Sequence, residues 1–235
     1  MLLREDGDAV ICIGQASHAW LSGQLARAWR DVEPREEVCL AAEQHDVGMA
    51  QWDLAPTLNP GTGRPHSFME MPLATHLALW TAAPQRLFTQ SRYAALLVSM
   101  HGTALYEMRD LARMGDEDAE AVRAYLAGQR ALQERLAAEV GASEDERRRN
   151  QRLLWAWDWL SLALLLDWAP ATLGDGDLAL GEGHTLDPWP FAEAGPVEVR
   201  CEGRRLEGRY DTEAGLHAAL EAAPRVELRF ALKPA

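Results

Sequence analysis

Hydrophobic positions recur at helical spacing along most of the chain. Ser17 can cap a helix whose stripe is Leu21, Leu25, Ala28 and Trp29, running to about Arg30 before Pro34 breaks the pattern. A second helix is predicted over Glu36 to Trp52, with Val38, Ala41, Ala42, Met49 and Trp52 on one side. A third begins near Pro72 and a fourth near Arg92, the latter carrying Ala94, Leu97, Val98, Leu105 and Met108 at helical spacing. Met114-Gly115-Asp116 reads as a stop and a new cap for a fifth helix, Asp118 to Glu139, charged on its outer face. Gly141 and Ser143 repeat that signal ahead of a sixth helix, Glu144 to Trp168, which is apolar enough after Arg152 to be buried all round.

The β signals lie at the two ends. Residues 9 to 13 (AVICI) read as a short strand. After Pro170 the helical pattern stops, and residues 174 to 183 (GDGDLALGEG) read as a flexible acidic loop; Asp175, Asp177 and Glu182 within it miss the spacing of a calcium loop. Two strands are predicted at Val197 to Cys201 and Leu206 to Tyr210 around a turn at Glu202-Gly203, then a helix over Glu213 to Glu221 and a strand over Val226 to Leu232. Such short strands do not stand alone, so residues 9 to 13 are expected to join residues 196 to 232 in one small antiparallel sheet. The expectation is a single, mainly α domain over 1–235: a helical bundle at 15–168 with that sheet as an appendage. Residues 59 to 68 (NPGTGRPHSF) are too rich in Pro and Gly for regular structure and predict an ordered loop.

Composition narrows the function. The net charge of −13 speaks against a nucleic-acid surface, which needs a basic stripe. Lys233 is the only lysine and sits three residues from the end, which excludes a lysine nucleophile elsewhere. Cys12, Cys39 and Cys201 form no CxxC pair, so neither a disulfide framework nor a thiolate zinc site is expected. The most hydrophobic stretch, Leu153 to Ala169, is interrupted by Asp158 and Asp167, and the N-terminus lacks a signal-peptide pattern. A cytoplasmic protein is the expectation, with no membrane partner; the oligomeric state is left open, a homodimer included.

The candidate chemistry sits on the helical stripes. His18 shares a face with Leu21 and Leu25, and His45 with Val38, Ala41, Ala42 and Met49. His76 shares one with Leu73 and Trp80, His101 with Leu97, Val98, Leu105 and Met108, and Asp158 with Leu154, Leu162 and Leu165. Asp46 follows His45 at the edge of its stripe. Any one of these histidines alone reads as a hydrogen-bonded core residue. A buried unpaired carboxylate, however, costs several kcal/mol or becomes neutral. Convergence of all six on one or two divalent cations (Fe, Mn, Zn or Mg) satisfies every member at once. His184 and His217 have no such context.

The order His18, His45-Asp46, then a distant Asp158 resembles the H…HD…D signature of the HD superfamily. That resemblance implies an HD-type helical bundle in which these four positions bind a metal. His76 and His101 fall where the binuclear branch, which includes phosphodiesterases and mixed-valent di-iron oxygenases, places two further histidines, with Asp46 as the bridge. The whole chain also resembles a bacterial family of unknown function, through residues 15 to 29 (QASHAWLSGQLARAW), 41 to 53 (AAEQHDVGMAQWD), 63 to 68 (GRPHSF), 93 to 102 (YAALLVSMHG), 157 to 165 (WDWLSLALL) and 187 to 191 (DPWPF).

These residues lead to a metal-dependent phosphohydrolase acting on a small anionic substrate, with a di-iron oxygenase and a non-catalytic metal-stabilised scaffold as the alternatives. Arg64 and His66, in the loop after the second helix, are candidates to reach over the site; arginine there suits a phosphate or carboxylate, and pairing with an acidic surface is the equal alternative. Asp53 is a candidate to orient a water. Gln15, Gln44, Trp52 and Tyr106 lie within about a turn of the expected ligands.

Overall fold

The chain opens with a hairpin, β1 (Leu2–Asp6) turning into β2 (Ala9–Ile13) through Gly7, whose φ of +62° is left-handed. In the computed structural model, which describes residues 1–174 and 176–235, the helices α1 (Gln15–Ala28), α2 (Arg35–Gln44) and the short α3 (Ala50–Leu54) follow. A two-residue ribbon, β3 (Leu58–Asn59) with β4 (Arg64–Pro65), then leads to α4 (Leu73–Ala82), α5 (Arg92–Glu107), α6 (Asp116–Val140) and α7 (Glu144–Leu165). The C-terminal part supplies β5 (Ala171–Leu173), β6 (Leu178–Leu180), β7 (Thr185–Asp187), β8 (Val197–Leu206), α8 (Glu213–Ala222) and β9 (Arg225–Pro234).

The β part overturns the expected architecture. It is not a small antiparallel appendage to a helical bundle but a seven-stranded, curled, mixed sheet in the order β1-β2-β8-β9-β7-β6-β5. β7 runs parallel to β9, and the other neighbours are antiparallel. Two misreadings contribute to the difference. The turn expected at Glu202-Gly203 is absent, and β8 runs through it in register with β9. Gly203 serves close packing instead: a Cβ there would meet the Ile11 side chain at 2.6 Å. The segment read as an acidic loop supplies β6, whose Leu178 and Leu180 are buried in the core. Asp175, part of the calcium-loop spacing considered above, lies outside the described residues.

One face of the sheet meets the helices. Ile11, Ile13, Val199, Cys201, Phe230 and Leu232 join Leu21 and Leu25 of α1 and Leu160, Leu164 and Leu165 of α7 in one core. The other face buries Val10, Cys12 and Leu206 beneath Leu216 and Leu220 of α8. Covered on both faces, β2 is buried at all five residues, which explains its unbroken apolar run. Among the described residues, no helix is long and apolar enough to cross a membrane.

The predicted second helix is interrupted where it matters most. α2 ends at Gln44, His45 caps it, and Asp46 leaves helical geometry at φ −99°, ψ 16°. Gly48 then passes so close to α4 that a Cβ would lie 2.7 Å from the Leu79 carbonyl oxygen. The break turns the His45-Asp46 pair inward between α1, α5 and α7.

Candidate metal centre

Four segments deliver the centre. α1 presents His18 on the face it buries against α7, α2 ends on His45-Asp46, α5 carries His101 and α7 carries Asp158. All five are buried. His18, His45 and Asp158 each offer a ligating atom within 4.8 Å of the others, a group that can hold a metal ion.

The hydrogen bonds fix which ring nitrogens face inward. His45 Nδ1 donates to the Ala42 carbonyl at 2.8 Å, which leaves Nε2 as the nitrogen that offers a lone pair once the ring is neutral. That Nε2 is buried without a hydrogen-bond partner among the described residues, 3.4 Å from Asp158 Oδ1 and 3.8 Å from Asp46 Oδ2. The Ser161 hydroxyl donates to the Asp158 carbonyl at 2.8 Å, so it accepts from His18 Nδ1, also at 2.8 Å. His18 Nε2 is thereby turned toward Asp46 Oδ2 at 2.7 Å and Asp158 Oδ1 at 3.7 Å. A lone pair against a carboxylate at that distance needs a proton or a cation between them. His101 Nε2 stands 3.5 Å from Asp158 Oδ2.

The charges point the same way. Burial works against the charged ring of His45, yet the Asp46 and Asp158 carboxylates beside it push its pKa up to about 9. Burial likewise opposes the ionised carboxyls, but His45 and His18 hold Asp46 below its ordinary value, and His45, His101 and His18 hold Asp158 well below the usual range. His101, desolvated more than it is compensated, falls to about 4. Two buried carboxylates thus stay ionised and call for positive charge between them.

His76 stands apart from this group. The Trp80 indole N–H donates to its Nε2 at 3.1 Å, and its Nδ1 is hydrogen-bonded to the Tyr106 hydroxyl. Both ring nitrogens are therefore engaged, and burial lowers its pKa to about 4. It lines, with Gln15, a cavity of about 310 Å³ that reaches His18, Asp46, His101 and Asp158. The rest of the wall is mostly apolar, from Phe68, Met69, Met71, Leu73, Trp80, Leu105 and Leu162, with Arg109 as its charged member.

Three candidates from the sequence lie outside that cavity. Arg64 is held by Glu5 at 3.2 Å and by the Asp8 carbonyl at 2.9 Å, so it pairs with the first hairpin. His66 Nδ1 lies 2.9 Å from Thr57 Oγ1. Asp53 accepts from the Gln15 backbone N–H, pairs with the Met1 amine at 2.6 Å, and faces a separate groove between α1, β8 and α8. Trp52 is not among the residues lining the cavity, and neither is Gln44. In the tail, His217 Nε2 donates to the Pro56 carbonyl at 2.8 Å, and His184 packs against Phe230.

Two residues escaped the sequence reading. Ser161 was signalled only by its position one turn after Asp158 on the same face. Arg109, which lines the cavity, follows the end of α5, where a basic residue is ordinary and points to nothing.

The chain belongs to the family described as a protein of unknown function (DUF3891), which matches residues 1–208. The match ends just beyond β8, so α8 and β9 lie outside it. No curated protein and no solved structure matches the chain.

Proposed function

We propose that this member of the DUF3891 family is a metal-dependent hydrolase of a small phosphate ester, with a centre of the HD type. The observation that carries the reading is His45 Nε2, buried without a hydrogen-bond partner among the described residues and facing two ionised carboxylates. His18, His45, Asp46 and Asp158 would hold the ion, with His101 beside Asp158. Mixed imidazole and carboxylate donors suit zinc, iron or manganese, with magnesium at the oxygen-preferring end.

When bound, a divalent ion supplies Lewis acidity toward a phosphoryl oxygen and lowers the pKa of water toward neutrality. The chain's own residues set the stage for that chemistry. Asp46 and Asp158 bring the negative charge that retains a cation, and the Ala42 carbonyl and Ser161 hydroxyl fix the tautomers of His45 and His18. The apolar wall limits water to the polar end of the cavity. Hydrolysis forms a new bond from a water oxygen to phosphorus and breaks the bond to the ester oxygen. The leaving alkoxide takes up the water's proton, giving an alcohol and inorganic phosphate.

The oxygenase alternative requires a second metal held partly by His76, whose two ring nitrogens are engaged by Tyr106 and Trp80. The scaffold alternative requires a closed coordination sphere, against which the cavity reaching the ligands speaks. The test is metal analysis of protein purified without a metal-affinity tag, then assay of phosphate esters with manganese under strict anaerobiosis. Release of inorganic phosphate is the expected result. Turnover that needs both ferrous iron and oxygen, or none with metal bound, overturns the proposal.

A further inference from the structure

Arg109 is the one arginine or lysine among the residues lining the cavity. Its guanidinium lies 4.8 Å over the centre of the Tyr106 ring, and its backbone N–H donates to the Tyr106 carbonyl at 3.2 Å. Tyr106 is fully buried and its hydroxyl is tied to His76, so this platform is rigid. Among the described residues no carboxylate pairs with Arg109, although Arg130, which shares a neighbouring cleft with it, is paired with Glu107 at 2.8 Å. A cation stacked on an aromatic ring and left without a counter-ion at the mouth of a cavity keeps its hydrogen-bonding edge available to an incoming anion.

Charge gives Arg109 a purpose. Asp46 and Asp158 contribute two negative charges to the cavity, and histidines that ligate must be neutral. A divalent ion only balances the carboxylates, so Arg109 supplies the net positive charge that an anionic substrate requires, in a chain whose total is −13. The other walls limit what the anion is attached to. Phe68, Met71, Leu73, Leu105 and Leu162 offer no hydrogen-bonding side-chain group, and the polar exception is Gln15, whose buried Oε1 has no hydrogen-bond partner among the described residues. A sugar or base placed against them would bury hydroxyls or amides unpaired. The cavity, at about 310 Å³, is also near the lower end of small-molecule sites.

Resting on the hydrolase reading, we infer that Arg109 grips the phosphate of the substrate and that the substrate is a small phosphate monoester with an apolar alkyl or aryl group. Arg109 thereby takes the anion-binding role that the sequence offered to Arg64.

The test uses the full chain loaded with manganese, as parent protein, Arg109→Ala and Arg109→Lys. Metal content is measured first and is equal in all three. Binding of inorganic phosphate, followed by calorimetry, weakens roughly ten- to a hundredfold in Arg109→Ala, the range for hydrogen bonds to charged groups, and is partly restored in Arg109→Lys. Phenyl phosphate is hydrolysed with a higher kcat/KM than glycerol phosphate or adenosine monophosphate, and Arg109→Ala raises its KM more than it lowers kcat. Unchanged phosphate binding in Arg109→Ala overturns the role of Arg109, whether or not any ester turns over. A preference for the nucleotide or glycerol ester overturns the substrate class. Phosphate binding that depends on Arg109, with no ester hydrolysed, upholds Arg109 as the anion contact and overturns the hydrolase reading together with the ester class.

Discussion

His45 Nε2 and Asp158 Oδ1 lie 3.4 Å apart in the core, brought together by the end of α2 and the middle of α7. The Ala42 carbonyl keeps a proton on the far side of the ring, so the near side of the neutral ring can only accept. An acceptor beside a buried carboxylate is unfavourable unless a proton or a cation lies between, and the pair is therefore a direct handle on the metal hypothesis.

Asp158→Asn preserves the shape of that pair and removes its charge. Parent protein is expected to carry about one ion per chain after desalting. The variant is expected to retain none while keeping its fold, read by elemental analysis and circular dichroism. Full metal content in the variant would count against the assigned centre.

His76 separates a one-metal from a two-metal site. Its nitrogens are engaged by Tyr106 and Trp80, so His76→Gln is expected to leave the ion-to-protein ratio unchanged, while His18→Gln abolishes it. A parent ratio of about two that falls to about one in His76→Gln would restore the binuclear arrangement.

Ser161 orients His18 without offering the metal a ligand. Partners of this kind typically cost about 10- to 100-fold in metal affinity when removed. Ser161→Ala is expected to fall in that range in a chelator competition, at a loss of about 1 kcal/mol in metal-free stability for the hydrogen bond. An affinity equal to the parent's would show that His18 is held by packing alone.

These particulars show what the sequence could and could not reveal. His18, His45 and Asp158 were legible because each sits on an apolar stripe, and a polar group at helical spacing among leucines has to face the core. The sheet was not. Strands of three residues such as β5 to β7 carry too little periodicity, and their glycine- and aspartate-rich surroundings read as loop. β1 escaped because three of the five residues in its LLRED pattern are charged. Gly203 looked like a turn, whereas its missing side chain makes room for Ile11 of β2, a tertiary contact that no local pattern encodes. Arg64 stood out in sequence as an anion contact and Arg109 did not; only the folded chain shows the first paired with Glu5 and the second lining the cavity.

Glu70 ties the lip of the cavity to pH. Its carboxylate accepts from the Ser67 backbone N–H and from the Asn59 side chain, each at 2.8 Å, in a capping box ahead of Phe68. The Ser67 N–H is the main cause holding its pKa below 4.5, against a small cost of burial. A depressed carboxylate contributes stability that is present above its unfolded value and lost as pH falls through the folded one. Protection of the Phe68 to Met71 amides, taken against the intrinsic exchange rate at each pH, is therefore expected to fall below about pH 4.5. Glu70→Ala should give the low protection already at neutral pH; protection equal to the parent's would remove Glu70 from the lip.

Gly48 couples the packing of α4 to the centre. It lies two residues after Asp46, and a Cβ there would press on the Leu79 carbonyl at 2.7 Å and on Ala83 at 2.9 Å. The Leu79 carbonyl belongs to a helix backbone and cannot swing aside, so Gly48→Ala has to push the turn carrying Asp46 away from α4. The expected cost is about 1–3 kcal/mol, typical of overpacking, or some 2–4 °C in Tm per kcal/mol for a chain of this size. Because the strain falls on the segment that aims Asp46, metal affinity should drop with it, although no ligand is altered. Gly128→Ala is the matched control: on α6 its Cβ would meet nothing within 4 Å, and replacing a helical glycine should stabilise by up to about 1 kcal/mol and leave the metal untouched. If Gly48→Ala lowers Tm without weakening metal binding, the turn is a packing feature only, and the close approach of Gly48 to α4 has no part in aiming Asp46.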